Sequence, residues 1–353
     1  MEKLQFIAQD LALIIGSGTL AFLISLIVTP WFAKQLIKFK IGKQIREEAL
    51  SGGKATLFAA LHAKKSGTPT MGGLLIWSTV LIVVAISMIL KEFGLFNHSL
   101  FSREETWIPL FTLVTCGLLG AVDDYINVKG IGKNKGLSAK IKLFWLTVFA
   151  LAGGIWFYSK LGFHTINLPI PGMESFEVGI FYIPIFVFVI ISMANAVNFT
   201  DGLDGLASGL LILAFSAFGL LAFNQGLLIL AALCAVIVGA VVAFLWFNVP
   251  PALFYMGDTG SLALGATLGV IGMLTDQTLI LPIIGLMFVI EILSVVIQLT
   301  SKKFFGRKVF KIAPIHHHFE QNGWKEWTIV MRFWIIGGIS AAFGVILGII
   351  NIL

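Results

Sequence analysis

Charge is what this chain has least of. Asp, Glu, Lys and Arg make up 12% of its 353 residues, about half the share of an ordinary soluble domain. With 58% hydrophobic residues and a mean hydropathy of +0.97, that shortage excludes a water-soluble fold. Apolar runs of helical length recur from end to end, so an all-α polytopic membrane protein is expected. Cysteine is nearly absent. Cys116 and Cys234 both sit inside apolar runs, which excludes a disulfide framework and leaves two small buried hydrophobes. A basic leader is missing too: MEKLQFIAQD carries two acids against one lysine, and no small-residue cleavage site follows. The first run therefore reads as a retained helix, not a signal peptide. Soluble domains and low-complexity tracts are also lacking, so one integral-membrane domain over residues 1–353 is expected.

What is present is a series of ten apolar segments: 11–33, 71–90, 107–122, 141–158, 180–197, 205–222, 227–247, 261–275, 279–299 and 329–352. Most approach the roughly 20 residues that span a bilayer. The short run 261–275 has a re-entrant alternative, and charge placement decides against it. With ten spans and an outside N-terminus, twenty of the 24 basic residues fall on the cytoplasmic side, leaving Lys3, Lys91, Arg103 and Lys160 outside. A re-entrant 261–275 would move the last basic loop outside, against the positive-inside rule. About ten transmembrane helices with both termini outside are expected. In the outer loop 159–179, alternating apolar residues around Pro-Ile-Pro-Gly suggest a small β-hairpin. KKFFGRKVFK at 302–311 reads either as a segment lying in the interface, drawn to anionic lipid heads, or as an ordinary basic loop.

The few acids are informative by position. Asp123 and Asp124 end the third apolar run, Asp201 and Asp204 lie in NFTDGLDGLASG, and Asp258 lies in FYMGDTGSLALG. The derived topology puts all five on the cytoplasmic face, together with His316, His317 and His318 of PIHHHFE. Polar groups at membrane depth are costly and usually line a site. Each has a plainer reading. Asp258 is a candidate helix N-cap, although Gly257 and Gly260 beside it would let backbone approach an anion at a helix N-terminus. Asp201 and Asp204, three apart, would share one helix face, and capping does not readily explain both. Adjacent Asp123 and Asp124 repel unless a cation is near; otherwise they are a solvated loop end. Three consecutive histidines cannot all reach one metal in regular structure, which weakens a zinc reading. Glu291, mid-span, is either a hydrogen-bonded packing residue or part of a polar path. Hard oxygen ligands, lysines and a helix N-terminus on one face suggest Mg²⁺ holding a phosphate or diphosphate, and so phosphoryl-type transfer between a soluble nucleotide and a lipid.

Taken together, GTPTMGG (Gly67–Gly73), VDDY, NFTDGLDGLA, FNVPPALFYMGDTGSLALG and PIHHHFE resemble the bacterial phospho-N-acetylmuramoyl-pentapeptide transferases. These belong to the polyprenyl-phosphate N-acetylhexosamine-1-phosphate transferase superfamily. The likeness runs in order from about residue 30 to the end. It implies transfer of phospho-MurNAc-pentapeptide from UDP-MurNAc-pentapeptide to undecaprenyl phosphate, giving lipid I and UMP, with Mg²⁺ in the bacterial inner membrane. It also implies ten helices, a cytoplasmic active site and a homodimer in the lipid bilayer, with no nucleic-acid partner. It would make Asp258 the main Mg²⁺ ligand and put Asp123 and Asp124 near the diphosphate and lipid phosphate. Asp201 would bond uracil, and Asn198, Asn248 and Asp204 would shape the nucleotide pocket. Lys65 and Thr70 would lie beside the nucleotide, and His316, His317 and His318 would line the sugar-phosphate side. Tyr255 stands where phenylalanine is expected to stack on uracil, and its ring still offers a face. Two residues after Asp-Asp-Tyr, where a lysine is expected, stands Asn127; Lys129 and Lys133 are the candidates for the catalytic-loop lysine. The stretch 47–65 is longer than expected, and 54–64 could form an extra interfacial helix.

Two chemical routes stay open: direct attack by the lipid phosphate with Asp123 as base, or a covalent intermediate on an aspartate. A phosphomonoester is mostly dianionic at pH 7, so the acidic pair is expected mainly to arrange metal and charge. Two other readings compete. A sister transferase would move N-acetylglucosamine phosphate, and the histidine loop argues against it. An ion-coupled transporter would bury acids at mid-membrane, where only Glu291 lies.

Overall fold

The computed structural model describes residues 2–42, 67–94, 98–131, 136–169 and 175–352. Lys65, Lys133 and the 47–65 stretch fall outside them. Helices dominate, because a backbone inside hydrocarbon must satisfy its own N–H and C=O groups. They are α1 (Glu2–Lys38), α2 (Gly73–Glu92), α3 (Glu104–Lys129), α4 (Ala139–Ser159), α5 (Tyr182–Thr200), α6 (Leu206–Asn224), α7 (Leu228–Asn248), α8 (Asp258–Leu274), α9 (Leu281–Ile284), α10 (Leu286–Phe305), α11 (Ile315–Gln321) and α12 (Glu326–Ile352). Among the described residues, eight are long and apolar enough to cross a membrane: α1 to α7 and α12. Helix α8 is shorter, and α10 carries Glu291, Lys302 and Lys303.

Three runs differ most from the sequence reading: α1 extends the run 11–33 at both ends, to Glu2 and Lys38. Helix α3 does not stop at Asp123 and Asp124; it continues to Lys129 and ends where Gly130 adopts φ 63°, a left-handed C-terminal turn open to glycine. The run 279–299 is divided at Gly285 into the four-residue α9 and the longer α10. Within 159–179 the expected strand pairing does form, with β1 (Thr165–Ile166) antiparallel to β2 (Phe176–Glu177) and Thr165 opposite Glu177.

Helix α8 is the axis of the bundle. Every residue from Thr259 to Leu274 is buried, and α3 and α5 pack along it. Small residues make this possible, since lipid gives no hydrophobic drive between helices and close packing must supply the attraction. A Cβ on Gly265 would lie 2.5 Å from the Met193 carbonyl oxygen of α5, one on Gly73 2.1 Å from Gly260 Cα, and one on Gly120 2.0 Å from the Asp258 carbonyl oxygen. Helices α2 and α3 thus converge on the first turn of α8, and α5 meets α8 farther along, at Gly265. Farther out, α1 and α6 pack on α7, and α12 packs on α6.

Candidate active site

The first turn of α8 carries Asp258, and three other helices bring polar groups to it. Lys142 of α4 places its Nζ 2.8 Å from Asp258 Oδ2 and 3.3 Å from Asp123 Oδ2 of α3. Asn198 Nδ2 of α5 donates to Asp258 Oδ1 and to Ser261 Oγ, both at 2.8 Å. Asp123 Oδ1 also accepts from the Leu137 N–H. One ammonium therefore bridges two carboxylates. Asp123 is 2% exposed, whereas Asp258 and Lys142 are open to about the same degree, 20% and 19%. Asp258 is the more open of the two carboxylates.

Asp124 does something different from its neighbour. Its Oδ1 accepts from the Asp258 N–H at 3.2 Å, and its Oδ2 accepts from the Thr259 N–H at 2.9 Å and the Thr259 hydroxyl at 2.6 Å. It is an N-cap supplied from another helix, meeting the orphan donors of α8. Gly257, at φ 71°, makes room: a Cβ there would overlap the Asp124 carboxylate and stand 2.6 Å from Thr70 Oγ1. Thr70 is buried, and its hydroxyl has no hydrogen-bond partner among the described residues.

Backbone bonds tie the surrounding motifs together. Tyr255 N–H donates to the Pro69 carbonyl, Gly72 N–H to the Tyr255 carbonyl and Gly73 N–H to the Met256 carbonyl, each at 2.8 Å. The GTPTMGG and FYMGD segments are thereby stitched into one wall, with the Tyr255 ring half-buried. Asn248, almost fully buried, is engaged by its own chain: Oδ1 accepts from Gly205 N–H (3.0 Å) and Ser208 Oγ (3.2 Å), and Nδ2 donates to the Phe254 carbonyl (3.0 Å). Asp204 Oδ2 accepts from Ala252 N–H at 3.1 Å, while its own N–H donates to Glu326 Oε1 at 2.8 Å. Asn248 and Asp204 hold the loop before α6 to the loop before α8. Asp201 caps the end of α5, half-buried.

The three histidines leave the short α11 in different directions. His316 is fully buried, with Nδ1 3.0 Å from Glu291 Oε2 of α10 but out of line for a hydrogen bond. It also lies against Gly202, where a Cβ would collide with the ring. Glu291 is buried beside the histidine helix, and neither of its carboxylate oxygens has a hydrogen-bond partner among the described residues. His317 Nδ1 pairs with Glu320 Oε2 at 2.6 Å, and His318 Nδ1 accepts from the Lys311 N–H at 3.2 Å. Among the described residues no three His, Cys, Asp or Glu side chains form a metal-ligand group.

Lys129 is not brought to the cluster. Its side chain is exposed and lies 5.8 Å over the Tyr125 ring. The lysine at the cluster is Lys142, which sequence reasoning counted only as loop charge. A signal existed: Lys142 sits in the first turns of an apolar helix capped by Ser138, where a cation opposes the helix dipole and calls for a carboxylate partner.

Known proteins can be set beside this geometry. A glycosyl transferase family 4 model matches residues 106–276, and a phospho-N-acetylmuramoyl-pentapeptide-transferase signature matches residues 65–76. The chain is 44% identical over 339 residues to the phospho-N-acetylmuramoyl-pentapeptide-transferase of Bacillus anthracis (strain A0248), covering 96% of this chain and 98% of that one. It is 42% identical over 327 residues to that of Geobacillus sp. (strain WCH70), covering 92% and 95%. The likeness runs through all the elements that meet at Asp258, and the chain belongs to the phospho-N-acetylmuramoyl-pentapeptide-transferase family.

Proposed function

We propose that this chain transfers phospho-MurNAc-pentapeptide from UDP-MurNAc-pentapeptide to undecaprenyl phosphate, releasing UMP and forming lipid I for peptidoglycan synthesis. The observation that carries the reading is the four-helix cluster in which Lys142 bridges Asp123 and Asp258 beside Asn198. It is a compact charged site at one end of an otherwise apolar bundle, in a chain of this family. Ten helices cross the bacterial inner membrane as one domain, α8 and α10 included. Both termini lie outside, the site faces the cytoplasm, and the protein works as a homodimer.

The residues fit a divalent cation. A cationic group already sits between two carboxylates, the donors are hard oxygens, and Mg²⁺ typically takes only one or two carboxylates with substrate phosphates completing its shell. Asp258, the more open of the two, would hold Mg²⁺, with Asp123 behind it. The ion would supply charge neutralisation on the diphosphate as UMP departs. Lys142 moves its ammonium from the carboxylates to the phosphoryl oxygens. Asp124 holds the N-terminus of α8 so that Asp258 faces the substrate. The Tyr255 ring stacks on uracil and Asp201 bonds its edge, while Asn248 and Asp204 shape that pocket through the loops they hold. Asp123 is tied to Lys142 and the Leu137 N–H, and the lipid phosphate is largely dianionic at neutral pH. Charge arrangement, with direct attack by the lipid phosphate, is the route this favours.

The test is UMP release by purified protein given undecaprenyl phosphate and either UDP-MurNAc-pentapeptide or UDP-N-acetylglucosamine. Release with the first alone is expected. Preference for the second would assign the chain to the sister reaction.

A further inference from the structure

Helix α12 carries a charge in an unexpected place. Arg332 lies seven residues past Lys325, about 10 Å along the axis, on a face where Met331, Ile335 and Ile339 are 53%, 63% and 68% exposed. In a spanning helix, that exposed apolar face looks into lipid. An arginine there needs an anion or a route to water. Among the described residues no carboxylate lies within ion-pair distance of Arg332 or Lys325. Arg332 instead lies with its guanidinium 4.3 Å over the Trp324 ring, and Lys325 Nζ sits 5.7 Å over Trp327. Together with Gly323 and Thr328, these residues line a cleft of about 340 Å³. Two cations, a hydroxyl and two tryptophans at the head of a lipid-facing stripe match a phosphate-bearing headgroup with its acyl chains running along the helix.

We propose that this cleft binds the headgroup of an anionic bilayer phospholipid. The occupant is a structural lipid, separate from the reacting one: α12 packs against α6, α9 and α10, whereas the carboxylates at Lys142 come from α3 and α8. The site also bears on the histidine helix. Trp324 stacks on Phe319 with centroids 4.7 Å apart, and Phe319 directly follows His318 in α11.

Native mass spectrometry of the full-length protein, titrated with phosphatidylglycerol or phosphatidylcholine, tests the proposal without requiring turnover. A failed transferase reading would therefore leave it standing. Wild type is expected to retain phosphatidylglycerol in preference, Arg332→Gln to weaken that retention about fivefold, as for loss of one interfacial cation, and phosphatidylcholine retention to be the same in both. Equal retention of phosphatidylglycerol by wild type and Arg332→Gln would overturn the proposal, as would equal retention of the two lipids by wild type. Displacement of phosphatidylglycerol by equimolar undecaprenyl phosphate would also overturn it and give the cleft to the substrate. If Arg332→Gln does not yield folded protein, Lys325→Gln replaces it: weakened phosphatidylglycerol retention is again expected, and retention equal to wild type would again overturn the proposal.

Discussion

Lys142→Met removes one ammonium and leaves two carboxylates facing each other. The three groups are at most one-fifth exposed, so solvent screens them little. Breaking a buried ion pair from one side costs about 3–5 kcal/mol, and here two acids lose the same partner at 2.8 and 3.3 Å. If that stabilisation is delivered to phosphoryl oxygens during transfer, turnover should fall roughly a hundred- to several-thousand-fold. Metal binding should move the other way. Without the ammonium as competitor, the acid pair attracts a divalent cation more strongly, so Mg²⁺ affinity without substrate should rise on the order of tenfold, a modest part of the attraction between unit charges at this range. Calorimetric titration with Mg²⁺, alongside UMP release at saturating substrates, reads both quantities. A Lys142→Met protein that melts like wild type, turns over like wild type and binds Mg²⁺ no more tightly would refute the bridging role.

Three further outcomes follow from the geometry. Asp124→Ala should lower stability by about 1–2 kcal/mol through loss of the cap on α8, read as a lower melting temperature; wild-type melting with lost activity would instead make Asp124 a direct participant. Gly120→Ala drives a methyl group to 2.0 Å from the Asp258 carbonyl oxygen and should cost about 1–3 kcal/mol as overpacking. Gly16→Ala, with nothing within 4 Å, should be silent, and equal melting of the two would contradict the close approach of α3 and α8. At the far end of the bundle, burial pushes the Asp276 carboxyl up to about 6, opposed by the Asn167 hydrogen bond. A raised carboxyl favours the folded state below its ordinary value near 3.8, and that contribution is lost as pH rises through about 6. The melting temperature of wild type should fall relative to Asp276→Asn between pH 4 and pH 7, and parallel curves would contradict it.

The apolar runs were legible because hydrocarbon tolerates little else, and most helix boundaries lie within a few residues of their runs, α1 and the far ends of α3 and α10 excepted. Asp123 and Asp258 were legible for the complementary reason, since a charge among apolar neighbours needs an explanation. The extension of α3 past Asp124 was hidden because acids near a helix C-terminus oppose the dipole, and the apolar period that marks a membrane helix stops there. Asp124 looked like the twin of Asp123, yet its partners stand 134 and 135 residues away, where no local pattern reaches. That Asn248 and Asp204 hold two loops together was hidden for the same reason, since their partners Gly205 and Ala252 stand 43 and 48 residues away. Lys142 was lost among many basic residues, although its place at the start of an apolar helix was the clue.

The central claim is that Asp258, held by Asn198, Lys142 and the Asp124 cap, is the charged centre of a phospho-sugar transfer to a lipid. Formation of lipid-linked product from labelled UDP-MurNAc-pentapeptide, by wild type and Asp258→Asn side by side across a Mg²⁺ series, tests it most directly. Mg²⁺-dependent product with wild type and its loss with Asp258→Asn are predicted. Full Mg²⁺-dependent turnover by Asp258→Asn would contradict the account.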